Sequence, residues 1–474
     1  MRKNSAAWAC IVAFLVGAVG ISAQTFDVIH TFSPSGSPFP FGRLLVISNS
    51  VYGINGGGSD SGSVFRVNTD GSGYKVLKHF SLTYSSPYGA TNLDGATPLA
   101  GLVLGEDTLY GSASQGGMWG KGTLFSLKTD GTDFTVLRHF AGSDGKAPYG
   151  ELFLANNVLY ATTAGGGDFG KGAVFRLNTD GSDFALLKSF AVSDGMLPLS
   201  GLTLSDGVLY GTTYQGGDWG YGTVFSLRTD GSGFTTLKHF AGVDGASPRY
   251  NLIVSGAAIY GTTEGGIYQT KSLVYRLNTN GADYSILKTF PEPDPVSGTN
   301  DDGYYVRSGL AAVGGTLFGT TSWGGQFGSG VVFALRMDGS GYTVLRHFSL
   351  TTNSLGGYFT NPDGAEPLPS LAISGGTLYG TTQQGGSTGG GTLFSLNIAP
   401  HIQLKDGNFG VRSNAFGFSV TGYSNQVLII EACTDLTTSS WLSLQTNTVT
   451  TGPVGYVDSS WTEHPQRLYR VRMQ

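Results

Sequence analysis

The strongest constraint on this chain's fold is a pattern that returns seven times along it. A period of this kind takes precedence over residue-level reading. Its clearest part is an aromatic residue followed by a small one. The copies are Val51-Tyr52-Gly53, Leu109-Tyr110-Gly111, Leu159-Tyr160-Ala161, Leu209-Tyr210-Gly211, Ile259-Tyr260-Gly261, Leu317-Phe318-Gly319 and Leu378-Tyr379-Gly380. Successive copies start 58, 50, 50, 50, 58 and 61 residues apart. The copy at 201–240 reads as four short strands: a at Gly201 to Leu204, b at Val208 to Thr213, c at Thr223 to Leu227 and d at Phe234 to Phe240. Each run is β-branched and aromatic and is bounded by glycine or Asp-Gly. Between c and d lies Thr229-Asp230-Gly231-Ser232-Gly233, whose Asp and Gly tolerate the positive φ of a tight turn. The same turn recurs at Asp70-Gly71, Asp130-Gly131, Asp180-Gly181, Asn280-Gly281 and Asp338-Gly339.

Four antiparallel strands per unit and a period near fifty predict a kelch-like propeller blade. The expected fold is all-β: a seven-bladed β-propeller over residues 24–399. No copy contains an amphipathic helical run, which excludes a helical solenoid. The runner-up is an open β-solenoid, which normally has shorter coils and no hairpin turn inside each repeat. The ends of the array favour the ring. The seventh copy stops after strand c, at Gly391 to Asn397, and Ile398-Ala399-Pro400 leads away. The missing strand stands at the other end, where Thr25 to Phe32 aligns with Phe134 to Phe140. The N-terminal strand is therefore expected to complete the last blade and remove an exposed sheet edge. Residues 400–474 alternate apolar and polar positions between Gly and Asn turns, predicting a small β-sandwich of about six to eight strands. Trp441 and Trp461 are expected in its core or between its sheets.

Composition agrees with an ordered chain. Only 12% of residues are charged and 12% are aromatic, whereas disordered chains are charge-rich and aromatic-poor. The 76 glycines then belong to turns. At the N-terminus Arg2 and Lys3 precede an apolar run, Ala6 to Ile21, and Ile21-Ser22-Ala23 offers a cleavage site before Gln24. Residues 1–23 read as an export signal, short for a membrane span. Without them 25 basic residues face 32 acidic ones, a net charge of −7. That balance argues against nucleic acid or an anionic membrane as partner. Cys433 would be the one remaining thiol, so no internal disulfide forms. No later segment is apolar enough to span a membrane, and no cofactor motif survives scrutiny. Gly165 to Gly170 and Gly385 to Gly389 match a dinucleotide loop and a hydrolase elbow by spacing alone. Neither has the helix that those motifs require.

The run from Leu209 to Phe240 carries Leu-Tyr-Gly-Thr-Thr-x-x-Gly-Gly, Gly-x-Gly-Thr-Val-Phe, Asp-Gly and Phe-x-x-Leu-x-x-Phe. This string resembles the GloVer (Gloeo-Verruco) tandem repeat of secreted bacterial proteins, over about residues 25–397. Glu431 to Leu436, Trp441 and Leu468 to Val471 look like the small β domain that ends many secreted proteins of the Verrucomicrobia and their relatives. The resemblance implies export, to the periplasm, cell surface or medium of a Gram-negative bacterium. It implies no reaction and supplies no catalytic residue.

With strand a innermost, the b–c and d–a loops share one face. The b–c loops carry Trp119, Phe169, Trp219, Tyr268 and Phe327, with Trp323 nearby. The d–a loops carry Asp-Gly, as at Asp144, Asp194 and Asp244. Aromatic rings beside carboxylates suit glycans, because flat rings stack on sugar faces while polar groups fix hydroxyls. Blade packing produces the same repetition, with each aromatic sealing a groove and each Asp capping its own turn. Histidines recur near the end of strand d (His30, His79, His139, His239, His347), but equivalent positions diverge around a ring and cannot meet at a metal. The expected function is an exported, monomeric surface module that binds glycan or a cell-surface protein through its loop face. The alternatives are a polysaccharide hydrolase or lyase and a structural envelope protein. A hydrolase needs converging carboxylates, and strand a is almost purely apolar, with Glu151 and Asn251 as its polar departures.

Overall fold

A computed structural model describes residues 25–34, 40–57, 61–265, 271–353, 358–403, 409–412, 415–423, 425–434, 441–449, 453–461 and 467–473. The leader expected at 1–23 and Tyr268 lie outside the described residues. Every regular element among those described is a strand.

Seven four-stranded antiparallel sheets follow one another along the repeats. The fourth shows the plan: Thr203–Ser205, Val208–Thr213, Thr223–Arg228 and Thr235–His239, paired in that order. Period-two alternation gives each sheet two apolar faces. Tyr210, Val224 and Phe240 pack toward the fifth sheet, while Leu202, Leu209, Phe225 and Leu227 pack toward the third. The small residue after the repeat aromatic, glycine in six copies and Ala161 in the third, makes this possible. A Cβ at Gly211 would lie 2.6 Å from the Phe225 ring, which covers strand b at that point.

The same clusters join the first sheet to the second and so on to the seventh, and one more joins the seventh back to the first. In that last cluster Leu44, Val51 and Phe65 of the first sheet meet Ile29, Phe32, Ala372, Tyr379 and Leu393 of the seventh. The N-terminal strand Phe26–Thr31 is the outer strand of the seventh sheet. It pairs antiparallel with Thr392–Asn397, Phe26 facing Leu396 and Thr31 facing Thr392. A bulge between Val28 and His30 sits opposite Leu393 and Phe394. The other six sheets carry their bulge at the same point, as between Val224 and Phe225 in the fourth. The added strand thus reproduces the geometry of a covalently continuous one, down to Phe32 N donating to Gly391 O at 3.0 Å.

The longer repeat spacings have a local cause. Additional residues enter the d–a connections after the first, fifth and sixth sheets, and two of these form hairpins, Tyr84–Ser86 with Gly89–Thr91 and Thr352–Asn353 with Phe359–Thr360. In the short connection into the third sheet, the Gly142 peptide exchanges hydrogen bonds with Gly145 and accepts from Gly167 N. In the long ones an asparagine side chain replaces that peptide. The Asn92 amide donates to Gly95 O and accepts from Gly95 N and Gly117 N. Asn300 and Asn361 repeat this arrangement. The amide reproduces the peptide's donor and acceptor, so the main chain is free to leave on an excursion.

Beyond residue 400 two further sheets enclose one cluster. The first contains His401–Gln403, Gly410–Arg412, Ala415–Thr421 and Val454–Asp458, and the second Val427–Cys433, Leu442–Thr448 and Leu468–Met473. Phe416, Phe418, Leu428, Ile430, Tyr456 and Tyr469 fill the space between them, and Trp461 packs against that cluster. Trp441 lies instead under the Arg470 guanidinium. The segment is docked on the repeats. Tyr423 enters the cluster between the sixth and seventh sheets, Arg336 donates to Asn425 O at 2.7 Å, and Gln426 Nε2 donates to Ile398 O at 3.0 Å. These contacts lie at the a–b and c–d turn end, away from the b–c and d–a loops.

Replacing Asn361 by alanine removes two donated and two accepted bonds, to Ser349 O, Gly364 O, Gly364 N and Gly386 N. The expected cost is about 1–3 kcal/mol, because buried peptide groups are left without partners. Urea denaturation of Asn361→Ala reads this as a lowered midpoint, and an unchanged midpoint would contradict the surrogate role.

Candidate functional site

All seven inner strands contribute to one axial chamber of about 640 Å³, walled by aliphatic residues such as Leu104, Leu154, Val254 and Ile373. At the loop end the strands pinch together. A Cβ at Gly201 would lie 2.7 Å from the Glu151 carbonyl oxygen, and one at Gly101 would lie 2.8 Å from the Arg43 carbonyl oxygen. Gly309 and Ser370 form a bridge between the sixth and seventh sheets. Across this waist Asn251 Nδ2 donates to Glu151 Oε2 at 2.6 Å, and Gly201 N donates to Asn251 Oδ1 at 2.7 Å. Burial pushes the Glu151 carboxyl up, offset in part by Arg43 and the Asn251 bond.

Above the waist is a cup whose wall includes Phe41, Tyr149, Leu199, Arg249, Arg307 and Leu368. The second to seventh copies enter their inner strands through a residue in the left-handed region: Thr97, Ala147, Leu197, Ser247, Tyr305 and Glu366. The conformation is strained for bulky residues and for those before proline. Hydrogen bonds to two neighbouring loops hold it in place. Ala147 N donates to Lys121 O of the preceding sheet, and Ala147 O accepts from Ala164 N.

In the fourth to seventh copies this frame carries charged and aromatic side chains. Glu264 is 2% exposed, and its Oε1 lies 3.3 Å from Arg307 Nε and 3.9 Å from Arg249 Nη1. Its Oε2 has no donor aligned on it. Tyr214 and Tyr305 both lean on the same carboxylate. Burial, reinforced by Glu264, pushes the Tyr305 hydroxyl up to about 12 and raises Tyr214 as well, so both are protonated donors at neutral pH. The Tyr305 ring stacks on Trp323 at 4.6 Å and 14°. Gln384 Nε2 donates to Glu366 Oε1 at 3.0 Å, and burial raises the Glu366 carboxyl. The second and third copies carry Ser114 and Ala164 at the Glu264 position, and at the Arg249 position the second to fourth carry Leu99, Tyr149 and Leu199, none of them charged.

Of the residues expected from sequence, Trp323 belongs to this group. Phe169, Trp219 and Phe327 stand at loop tips, 61%, 66% and 45% exposed. Trp119 is half-buried edge-on against Tyr88 of the first inserted hairpin, at 5.0 Å. Asp144, Asp194 and Asp244 are engaged within their own sheets. Asp144 accepts from Ala141 N at 2.8 Å and from Arg138 Nε at 3.0 Å, and Asp194 and Asp244 pair in the same way with Lys188 and Lys238. Each cation also lies over a ring of the next sheet, as Lys188 does over Phe234 at 4.2 Å. The recurring histidines prop the b–c loops. Nδ1 of His139, His239 and His347 accepts from Met118 N, Asp218 N and Gln326 N, and Ser189 Oγ accepts from Asp168 N. Among the described residues no cluster of three or more His, Cys, Asp or Glu could hold a metal, and no helix is long and apolar enough to cross a membrane.

The model of the Gloeobacter/Verrucomicrobia repeat matches residues 83–271 and 252–426. The chain belongs to this family. The second match runs past the last repeat strand and takes in Tyr423 and Gln426, the residues that dock the C-terminal segment. No curated protein matches this Gloeobacter/Verrucomicrobia repeat chain. Among solved structures it is similar to the nidogen/laminin complex, with 12% identity over 76% of this chain and 98% of that chain and a TM-score of 0.37. It is also similar to the GH74 enzyme of Niastella koreensis, with 14% identity over 85% and 60% of the two chains and a TM-score of 0.47. A puromycin-hydrolyzing peptidase of Mycobacterium tuberculosis gives 12% identity over 82% and 61%, with a TM-score of 0.46. These scores are low, and no property of those proteins is carried over.

Glu151 and Asn251 stood out in the sequence as polar departures on strand a, but Arg249, Arg307, Glu264 and Tyr305 did not, because they sit where the repeat varies. Aligning Arg249-Tyr250-Asn251 with Leu199-Ser200-Gly201, and Glu264 with Ala164, would have exposed them.

The waist yields a pH prediction. A carboxyl raised in the folded chain contributes stability that is full below its ordinary value, about 4.3, and is lost as pH rises through its folded value. Glu151→Gln keeps the acceptor for Asn251 and removes the titration. The variant is expected to melt higher than the parent at about pH 7, with the gap closing toward about pH 4. Melting curves across that range check it, and a gap independent of pH would overturn the assignment.

Proposed function

We propose that this chain is an exported seven-bladed β-propeller with kelch-like four-stranded blades and a C-terminal β-sandwich, acting as a glycan-binding module of the cell surface or medium. The apolar leader Ala6 to Ile21 supports export. The closed series of sheet-to-sheet clusters supports the propeller, and the paired sheets beyond residue 400 support the sandwich. The observation that carries the binding function is the group Glu264, Arg249, Arg307, Tyr305 and Trp323 at the open end of the axis. Trp323 is 42% exposed and has Tyr305 behind one face, so its ring offers a flat platform for the C–H face of a sugar. Beside it Arg249 and Arg307 line the cup and offer guanidinium donors, held in place by the buried Glu264 carboxylate. Trp119, Phe169, Trp219 and Phe327 form an outer rim on the same loop face. A protein partner is the alternative occupant of that face.

One observation favours a second reading, a polysaccharide hydrolase or lyase. Glu366, raised by burial, and Glu264, held by two guanidiniums, both interact with Arg307. Two carboxyl groups near one arginine are the residue type that polysaccharide hydrolysis employs as a pair.

A glycan array probed with residues 24–474 tests both readings. Binding is expected, with affinity falling about tenfold or more in Trp323→Ala and in Glu264→Gln. Trp119→Ala and Trp219→Ala would then bind nearly as the parent does, and equal loss in those two would move the site to the loop tips. Release of new reducing ends from a bound glycan, abolished in Glu264→Gln, would establish the hydrolase.

A further inference from the structure

We infer that the cup binds a carboxylate, so that the glycan this module takes is an acidic one, built with uronic acid units. The inference rests on the glycan reading above and narrows it to a ligand class. One cation on strand d of each of the first six sheets has a carboxylate of its own, as Arg138 has Asp144 and Arg346 has Asp363. At the cup two guanidiniums share one. Glu264 Oε1 lies 3.3 Å from Arg307 Nε and 3.9 Å from Arg249 Nη1. Arg249, Arg307 and Glu264 together therefore leave one positive charge in excess. Glu264 is buried, whereas the side chains of Arg249 and Arg307 remain 30% and 23% exposed and line the cup. An incoming group meets the cations and not their shared counterion.

The other acidic groups nearby are engaged. Glu151, on the cup wall, accepts from Asn251 and is offset by Arg43, and Glu366 accepts from Gln384. Burial raises both carboxyls, which works against their ionisation. The size of the cup also suits a small oxyanion. Its volume of about 70 Å³ holds a few water molecules. A carboxylate occupies such a space, and the sugar ring that bears it stays outside. Guanidinium groups present planar forks of donors that match a carboxylate edge. Tyr305 joins the cup to the aromatic platform. The Arg307 guanidinium lies 5.6 Å from its ring centre, and the same ring stacks on Trp323 at 4.6 Å. A chain lying across Trp323 thus turns an acidic substituent toward the arginines.

Calorimetry of residues 24–474 with oligomers of galacturonate, mannuronate and glucuronate, their methyl esters, neutral cello-oligosaccharides and a sulfated carrageenan oligosaccharide tests this. The expected result is that a uronate binds about ten- to hundredfold more tightly than its ester, the size of a lost hydrogen bond to a charged group. Arg249→Gln leaves Arg307 and Glu264 as a one-to-one pair, so its melting temperature should stay close to the parent's. That variant is expected to lose the preference for acid over ester, and Arg249→Lys to keep part of it. Equal affinity for a uronate and its ester, or an undiminished preference in Arg249→Gln, would overturn the carboxylate assignment while leaving glycan binding intact. So would tighter binding of the sulfated oligosaccharide than of any uronate. Binding to none of these sugars, acidic or neutral, would remove the glycan reading and this inference with it.

Discussion

The pairing of Phe26–Thr31 with Thr392–Asn397 joins the two ends of the array, and the rest of the ring depends on it. Each of the other interfaces lies between sheets adjacent in sequence and can form as the chain collapses locally. This one must bring together residues separated by nearly the whole array. The entropy of closing so long a loop grows only logarithmically, by about 0.6 kcal/mol per doubling of length. A strand of ladder bonds and the apolar seam around Ile29, Phe32 and Leu393 can offset that cost. Closure also protects the third strand of the seventh sheet, which would otherwise present a bare edge. With Cys433 as the free, buried thiol and no disulfide across the seam, the ends are held by strand pairing and packing.

A closed ring of near-identical units is symmetric in its backbone, and function at its axis requires that symmetry to be broken by side chains. Here the charged and aromatic departures concentrate in the fourth to seventh copies, with Tyr149 and Glu151 added by the third. The fourth to seventh copies place Tyr214, Glu264, Tyr305, Trp323 and Glu366 around the mouth, where the second and third place Ser114, Ala164, Thr97 and Ala147. Because the backbone frame is set by hydrogen bonds between loops and not by these side chains, the positions can vary without disturbing the blades. The C-terminal segment is clamped to the opposite, turn-bearing end through Arg336, Asn425 and Gln426, so the varied face stays open.

Much of this architecture was legible in the sequence, because it is written in features that repeat. The Asp-Gly turn, the alternation on strands b and c, and the missing last strand all follow from local rules applied seven times. The candidate site was far less legible, for the converse reason. Searching the repeats for shared residues selects structural ones. Asp144, Asp194 and Asp244 recur because each ties strand d to its own loop, and the histidines recur because each props a b–c loop. Glu264 occurs once at its repeat position, and Arg249 and Arg307 share one position where the second to fourth copies carry Leu99, Tyr149 and Leu199, so a consensus averages them away. Their convergence also depends on the ring, since Glu264 and Arg307 belong to different sheets.

Asn92, Asn300 and Asn361 show how the ring accommodates unequal repeats. An insertion in a d–a connection would ordinarily displace the peptide that anchors the b–c loop beside it, as Gly142 anchors Gly167. A side-chain amide offers the same donor and acceptor at the end of a flexible stem, so the anchor survives while the main chain departs. Each of the three stands two residues before an Asp-Gly pair, and each follows an insertion. That spacing is a local signal that a longer repeat still closes into the same frame, and it accounts for units 58 and 61 residues apart packing beside units of 50 without distorting the axis.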